Sequence, residues 1–451
     1  MKRYKLILSM LGLGISLTSC EDKLDLEPTQ FISTDVALST GENVENLLIG
    51  AYAEAGQSAS YGGNIQMLSD LYGATNQVSW NGTFQPIRQV YTKNILVDNS
   101  YVRDTWLNGY DVINQTNLVL DNIDLVDEEN QSNIEGQARF LRGLTYFDLT
   151  RLFGQQYMSG QSNNQLGVPL ELEGIEDYSG NLEIARSTVE ENYTQVITDL
   201  QAAYDLLPED NEEFAERYAA QALLARVYLQ QGDYSSALAS ANDVIENSSY
   251  SLAGTYADIF NNDTDGSETI FAFQVTTQDG SNNLITHYAD QANGGRGNDI
   301  SINDGYVAMF DSEDDVRSEF FYASAQSEDR LTAKYTNQFG NVMLLRLAEM
   351  YLIRAEANLR LGSAVGATPV EDINRIRERS NADVLTSVSL DDIMLERQLE
   401  LAFEGFLIHD LKRTMEDVGD IPYDDNSLLF PIPQREMDVN SLLTQNPGYG
   451  S

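Results

Sequence analysis

Apolar residues recur at helical period through three long stretches of this chain, and that repetition limits the fold more than any other feature. Leu344, Leu347, Ala348, Tyr351, Leu352, Ala355 and Leu359 follow an i, i+3, i+4 spacing. Arg346, Arg354, Glu356 and Arg360 fall on the other side, the pattern of an amphipathic helix. Residues 219–247 predict two more helices. Ala220, Leu223, Leu224, Val227 and Tyr228 mark the first, Gly232-Asp233 the turn, and Tyr234, Ala237, Leu238, Ala241, Val244 and Ile245 the second. The stretches 110–153 and 187–206 predict long helices ending near Gly154 and Pro208.

The pair at 219–247 matches the tetratricopeptide pattern. Leu224, Ala225, Tyr228, Gly232-Asp233-Tyr234 and Ala237 stand at the spacings of that repeat. Small residues there let two antiparallel helices approach, and the glycine ends the first. Ala355 with Gly362 is a weaker echo, and the other helices do not keep the period. The expected fold is therefore mainly α, an α-α superhelix with tetratricopeptide-like helix pairs at irregular spacing. Residues 56–105 and 250–340 break the rhythm. They are rich in Gly, Asn, Asp, Ser and aromatics, with short strand-like runs such as Thr269-Ile270-Phe271-Ala272-Phe273. They read as long irregular excursions from a helical scaffold at 36–55, 106–250 and 341–451, within one domain spanning 36–451. Excursions of this length inside a compact protein tend to carry function.

Cys20 is the only cysteine, so no intrachain disulfide forms and the fold stands on packing. Its position is informative. Lys2, Arg3 and Lys5 make a basic start, Leu6 to Leu17 an apolar run, and Leu17-Thr18-Ser19-Cys20 resembles a bacterial lipobox. The run is shorter than the roughly 18 apolar residues that a spanning helix wants, so it reads as a cleaved export signal. Residues 1–19 are expected to be removed, Cys20 to be lipidated, and residues 20–35 to form the tether. Each buried methylene contributes about 0.8 kcal/mol, so two or more acyl chains would hold the protein on a membrane.

Against 27 Lys+Arg stand 70 Asp+Glu, a net charge of −43. Loss of Lys2, Arg3 and Lys5 and of no acid takes this to −46 in the mature chain. Such a field repels phosphate backbones and anionic headgroups, which argues against nucleic acid and against any membrane contact beyond the lipid. With 42% hydrophobic residues the acidity does not signal disorder.

A series of motifs in order along the chain resembles the SusD/RagB family of nutrient-uptake lipoproteins of the Bacteroidetes. They begin with Ala138-Arg139-Phe140-Leu141-Arg142, Tyr146-Phe147-Asp148-Leu149, Arg151-Leu152-Phe153-Gly154 and Gly167-Val168-Pro169-Leu170. Arg186-Ser187-Thr188-Val189-Glu190-Glu191 then opens a helix in the family's manner. Arg346 to Ala357 (RLAEMYLIRAEA), Ile373-Asn374-Arg375-Ile376-Arg377, Glu396-Arg397 and Glu400-Leu401-Ala402-Phe403-Glu404-Gly405 follow. Phe430-Pro431-Ile432-Pro433-Gln434-Arg435-Glu436 and Gln445-Asn446-Pro447-Gly448-Tyr449 are similar to its closing signature. One departure stands out. The family usually carries Arg-Trp-x-Asp after the Glu-Gly pair, whereas Phe406-Leu407-Ile408-His409 precede Asp410-Leu411-Lys412-Arg413 here, so apolar contacts must replace the Arg-Trp ones. The resemblance implies a non-enzymatic, surface-exposed lipoprotein of the outer membrane, working as a lid over a SusC-like TonB-dependent transporter. It implies capture of oligosaccharides, or less often peptides, and their delivery into the barrel.

Sugars present apolar C–H faces and dense hydroxyls, so a site for them needs flat aromatic platforms beside amides, acids or arginine. Each platform contributes on the order of 0.5–1.5 kcal/mol, so several are needed. Residues 61–91 supply Tyr61, Tyr72, Trp80, Phe84 and Tyr91 among Asp70, Asn76, Gln77, Asn81 and Arg88. Trp80 leads, because Ser79-Trp80-Asn81-Gly82 reads as an exposed turn; the competing reading is a Trp pinning its loop to the body. Tyr288 and Arg296, from His287-Tyr288 and Asn293-Gly294-Gly295-Arg296-Gly297, are expected on the opposite lip. Those glycines do not follow a strand and open a helix, so they make no phosphate loop. Trp106 keeps helical spacing with Tyr110 and Ile113 and reads as core.

No cofactor or metal is expected. Asn261, Asp263 and Asp265-Gly266 resemble the start of a calcium loop, but its twelfth position is Ala272, not a bidentate acid. Glu396, Glu400 and Glu404 lie in one row and cannot flank a glycosidic bond from two sides; with Arg397 and Arg413 they read as a salt-bridged face. His287 and His409 have no metal-ligating or nucleophilic partner nearby in sequence. The reading is a glycan-binding lipoprotein that captures its ligand on the loops of 56–105 and 280–300 and then opens and closes over the barrel like a hinge. A peptide-capturing relative is the alternative, for which the acidic field would favour basic peptides and a strong salt dependence. A tetratricopeptide-type scaffold lipoprotein is a further one.

Overall fold

The structure, a computed structural model, describes residues 38–275 and 282–450. Cys20, the export segment 1–19 and the tether 20–35 lie outside the described residues. The first half of the helical body comprises α1 (Gly41–Ala55), α2 (Asn64–Gly73), α3 (Gln85–Tyr91), α4 (Ser100–Asp121), α5 (Glu128–Phe153), α6 (Val189–Leu206), α7 (Arg217–Gln231) and α8 (Tyr234–Asn247). After it come the short α9 (Asn283–Tyr288) and α10 (Asp304–Val307), then α11 (Leu347–Leu361), α12 (Pro369–Arg379), α13 (Leu390–Glu400), α14 (Leu407–Thr414) and α15 (Gln434–Val439). Three antiparallel two-stranded ribbons and five short 3-10 helices accompany these helices among the described residues. The ribbons are β1 (Val78–Trp80) with β3 (Ile300–Ile302), β2 (Thr269–Phe273) with β6 (Val342–Arg346), and β4 (Phe321–Ala323) with β5 (Arg330–Thr332).

The helices stack in chain order: α4 on α5, α5 on α6, α6 on α7, α7 on α8, α8 on α11 and α11 on α12. This is the expected superhelix of paired helices. Its local signals are legible. Thr188 and Glu191 close a capping box on α6, as Thr368 and Glu371 do on α12 and Ser389 and Asp392 on α13. Gly232 ends α7 at φ +73°, a conformation that only glycine adopts without strain, and Asp233 caps α8 by accepting from the Ser236 amide at 3.1 Å. The small residues of the pair, Ala220, Ala225, Ala237 and Ala241, are fully buried. Trp106 is core as expected, at 3% exposure, edge-on to Phe153.

Residues 56–105 depart from the irregular excursion that the sequence suggests, since they hold α2, β1, α3 and the start of α4. All ten residues of α2 are buried, so it has no polar face and therefore no amphipathic period to read. The Glu396–Glu400–Glu404 row is salt-bridged, but inside the protein. Arg346 reaches Glu268 at 2.9 Å, Glu400 at 2.6 Å and Glu404 at 2.8 Å. Arg317 reaches Asp315 at 2.8 Å and Glu396 at 2.6 Å, Arg377 bonds Glu396 at 3.1 Å, and Lys334 bonds Glu404 at 2.6 Å. Arg379 joins Glu268 and Glu400. Glu268, Asp315, Arg317 and Lys334 come from the 250–340 excursion and the others from the scaffold, so this network is the joint between them. Where the family's Arg-Trp pair is absent, Phe406 packs beneath Arg226 at 4.8 Å and Ile408 is buried.

These arginines consume most of the cations internally, leaving Arg296, Arg360, Arg375 and Arg435 as the exposed ones among the described residues. The exterior is thus strongly acidic and self-repelling. Raising NaCl from low ionic strength to about 0.5 M shortens the Debye length to less than half its value at 0.1 M and should raise the melting temperature. A melting temperature that falls with salt would place the dominant electrostatics in exposed attractive pairs instead.

Candidate functional site

β1 and β3 bring the two excursions together. Val78 pairs with Ile302, Ser79 with Ser301 and Trp80 with Ile300, and the Asn81 amide extends the ladder to the Asp299 carbonyl at 2.7 Å. At the end of this ribbon Asn81 Nδ2 donates to Ser301 Oγ at 2.9 Å, and Arg88 donates to the Gly82 carbonyl at 2.7 Å. Gly82 lies so close to the Trp80 indole that a Cβ would sit 2.4 Å from the ring. Phe84, half-buried at the start of α3, faces Tyr101 at 6.4 Å and His287 at 6.0 Å. The Arg296 guanidinium lies over the Phe84 ring at 4.2 Å and bonds Asp299 at 3.3 Å, while His287 Nδ1 bonds the same carboxylate at 2.9 Å.

The result is a rim of Asn81, Thr83, Phe84, Gln85, Tyr101 and Arg296, fed by both excursions. The hydroxyls of Thr83 and Tyr101 and the Gln85 amide make no hydrogen bond to described residues, so they are open to a ligand. Burial shifts the Tyr101 phenol upward, which keeps it protonated and able to donate.

Of the residues expected to bind ligand, Asn81, Arg88 and Arg296 meet at this rim, and Asn76 is exposed at the approach to β1. Trp80 corrects the expectation of an exposed turn. It is 4% exposed, sits in β1 and packs on His287 at 5.5 Å, pinning the ribbon from beneath. Tyr72, Tyr288 and Asp70 are also interior rather than ligand-facing. Tyr72 donates to the Ser427 carbonyl at 2.5 Å, and Tyr288 donates to Asp70 at 3.3 Å. Phe84 is one of several aromatics in 61–91, and nothing local in the sequence marks it, Tyr101 or Asp299 as a rim residue. Tyr101 opens a helix whose period points to core, and Asp299 acquires its role only when β3 docks on β1.

Asp70 also accepts from the Gly405 amide at 3.0 Å and borders a cavity of about 40 Å³. Burial pushes its carboxyl up to about 7, and burial does the same for Glu216. A carboxyl raised in the folded state stabilises below its unfolded value near 4, and that contribution is lost as pH rises through 7. The opposite holds for Glu400. Burial alone would raise it, but Arg379, Arg346 and Arg317 hold it far below the usual range, so its contribution is lost only in strong acid. Stability should therefore peak between these windows, at about pH 5, and decline toward pH 8. Asp70→Asn should flatten the decline by removing the charge while keeping an acceptor for Gly405. An unchanged profile from pH 5 to 8 in the variant would show that Asp70 does not titrate there.

The fold matches what comparison with known proteins finds. The family model described as the SusD family matches residues 154–423, and another described as "Starch-binding associating with outer membrane" matches residues 22–229. The chain belongs to the SusD family, and it is a binding protein rather than an enzyme. It is 27% identical to SusD-like protein P2 of Formosa agariphila, over 100% of both chains. It is 24% identical to the starch-binding protein SusD of Bacteroides thetaiotaomicron, over 76% of this chain and 77% of that one. Among solved structures, a SusD superfamily protein from Bacteroides thetaiotaomicron superposes with a TM-score of 0.82 at 27% identity, covering 90% of this chain and 100% of the other.

Proposed function

We propose that this protein is a cell-surface glycan-binding lipoprotein of the outer membrane, anchored through Cys20, that captures oligosaccharides and passes them to a SusC-like TonB-dependent transporter. The β1–β3 rim carries the reading. It presents the half-buried Phe84 ring, the free hydroxyls of Thr83 and Tyr101, the Gln85 and Asn81 amides and the Arg296 guanidinium on one surface. A ring for C–H faces flanked by two-way hydrogen-bonding groups is the chemistry that a neutral sugar needs. Membership in the SusD family and the starch-binding relative support the ligand class, and the lipobox supports the anchor. Arg88 and Asn81 hold the rim's backbone, and Asn76 lies at its edge. The peptide reading keeps one supporting observation, the acidic exterior, which would draw basic chains.

Screening the purified protein on an array of oligosaccharides of varied linkage tests the proposal. Binding to one linkage class, insensitive to salt and without release of reducing ends, is expected. Binding confined to basic peptides and abolished by salt would favour the peptide reading. Turnover of any glycan would overturn both. Cys20→Ala should abolish incorporation of labelled palmitate in an export-competent host.

A further inference from the structure

The described residues hold three lysines, and burial lowers each ammonium to about 8. Two of them are saturated. Lys93 Nζ donates to the carbonyls of Leu71, Ala74 and Tyr91 at 3.3, 2.6 and 2.9 Å. Lys334 Nζ donates to the Glu400 and Ala402 carbonyls at 3.2 and 2.7 Å and to Glu404 at 2.6 Å. Lys412, 4% exposed on α14, has among the described residues one acceptor, the Leu428 carbonyl at 3.0 Å, and no carboxylate partner. An ammonium carries three donors, so two are left over in a buried position, which is costly unless something else accepts them.

Lys412 forms part of the wall of a cleft of about 330 Å³ between the 155–165 loop and the 423–429 segment. Gln155, Gln156, Gln165, Tyr423 and Asn426 supply amides and a phenol to the other walls, beside the apolar Met158 and Leu429. The side chains of Gln155, Tyr423 and Asn426 make no hydrogen bond to described residues. Amides both donate and accept, which suits a hydroxylated ligand, while a buried ammonium with spare donors calls for an anionic oxygen. Asp424 and Asp425 also line the cleft, but both are exposed, where water screens them, and the Asp425 carboxylate already accepts from the Ser427 amide at 2.8 Å. We propose that this cleft is a second ligand site, which binds a small polyhydroxy carboxylate of the sugar-acid class with its carboxylate on Lys412 and its hydroxyls on the amide wall. The site shares none of the rim's residues, and either can fail without the other.

The test is saturation-transfer NMR of the full chain with D-galacturonate, D-glucuronate and the neutral D-galactose as probes. Saturable transfer to a uronate, with little to galactose, is expected in the wild type and in Phe84→Ala. Lys412→Met keeps the length of the stem and removes a buried uncompensated charge. It should fold with an unchanged or higher melting temperature and lose affinity about tenfold or more. Uronate binding unchanged in a folded Lys412→Met protein, equal transfer to galactose, or no saturable transfer to either uronate would each overturn the proposal.

Discussion

Glu400→Gln should destabilise the protein by about 3–5 kcal/mol, a large share of the 5–15 kcal/mol that a folded chain commonly has. The Glu400 side chain is fully buried, and its carboxylate meets Arg346 at 2.6 Å, Arg317 at 3.1 Å and Arg379. Two charges held together in the interior repay their lost hydration only while both are present. Removing the acid leaves Arg346, Arg317 and Arg379 on their remaining carboxylates, Glu268, Glu404, Asp315 and Glu396, with one buried positive charge uncompensated. Glutamine is nearly isosteric, so packing stays intact and the loss is electrostatic. Asp304→Asn is the control, because its pair with Arg330 lies at the surface, with the Asp304 side chain 97% exposed, and it should change stability by less than about 0.5 kcal/mol. Urea unfolding measures both. Hydrogen exchange should further show residues 250–340 losing protection first in Glu400→Gln, since the network is what fastens that excursion to the scaffold. A Glu400→Gln protein within about 1 kcal/mol of wild type would mean that apolar packing alone holds the joint.

Phe84→Ala and Trp80→Ala should separate binding from folding. The Phe84 ring is half-buried at the rim, with Arg296 over it, so its loss removes a platform while the fold persists. Affinity for the captured glycan should fall by about 1–2 kcal/mol, a factor of roughly 5–30. Trp80 is 4% exposed beneath the ribbon, and its truncation opens a core cavity. About 3–5 kcal/mol of stability should be lost, and binding should weaken only as the folded fraction does. Arg296→Ala is the third arm. It should weaken binding, since the guanidinium is one of the groups that the rim presents; tighter binding would show that it merely occupies the ring face that the sugar takes.

Much of this architecture was readable from residue order. The 3.6-residue period located α11 and the α7–α8 pair, the Gly232-Asp233 turn fell where a left-handed glycine and an aspartate cap belong, and the Thr269–Phe273 run is β2. Helices without a polar face escaped notice, and α2, buried on all sides, is the example. The site was less legible. The residues of the proposed rim fall in the two excursions, where aromatic and amide residues cluster. Which aromatics face outward could not be read, since that depends on the antiparallel register of β1 on β3, a pairing across more than two hundred residues that leaves no local mark. Three-residue strands carry too little alternation to assign faces, so Trp80 looked like the tip of a turn. Its half-exposed neighbour Phe84, only four positions on, is the residue at the surface. The acids of 396–404 show the same limit. Their spacing was visible, but their partners arrive from residues 317–379 and only the fold assembles them.

The most direct measurement is isothermal titration of wild type and Phe84→Ala with the oligosaccharide that the array selects. The account predicts saturable one-site binding in the wild type and a five- to thirtyfold weaker constant in a variant that melts like it. Equal constants for the two proteins would contradict the assignment of the β1–β3 rim as the glycan site.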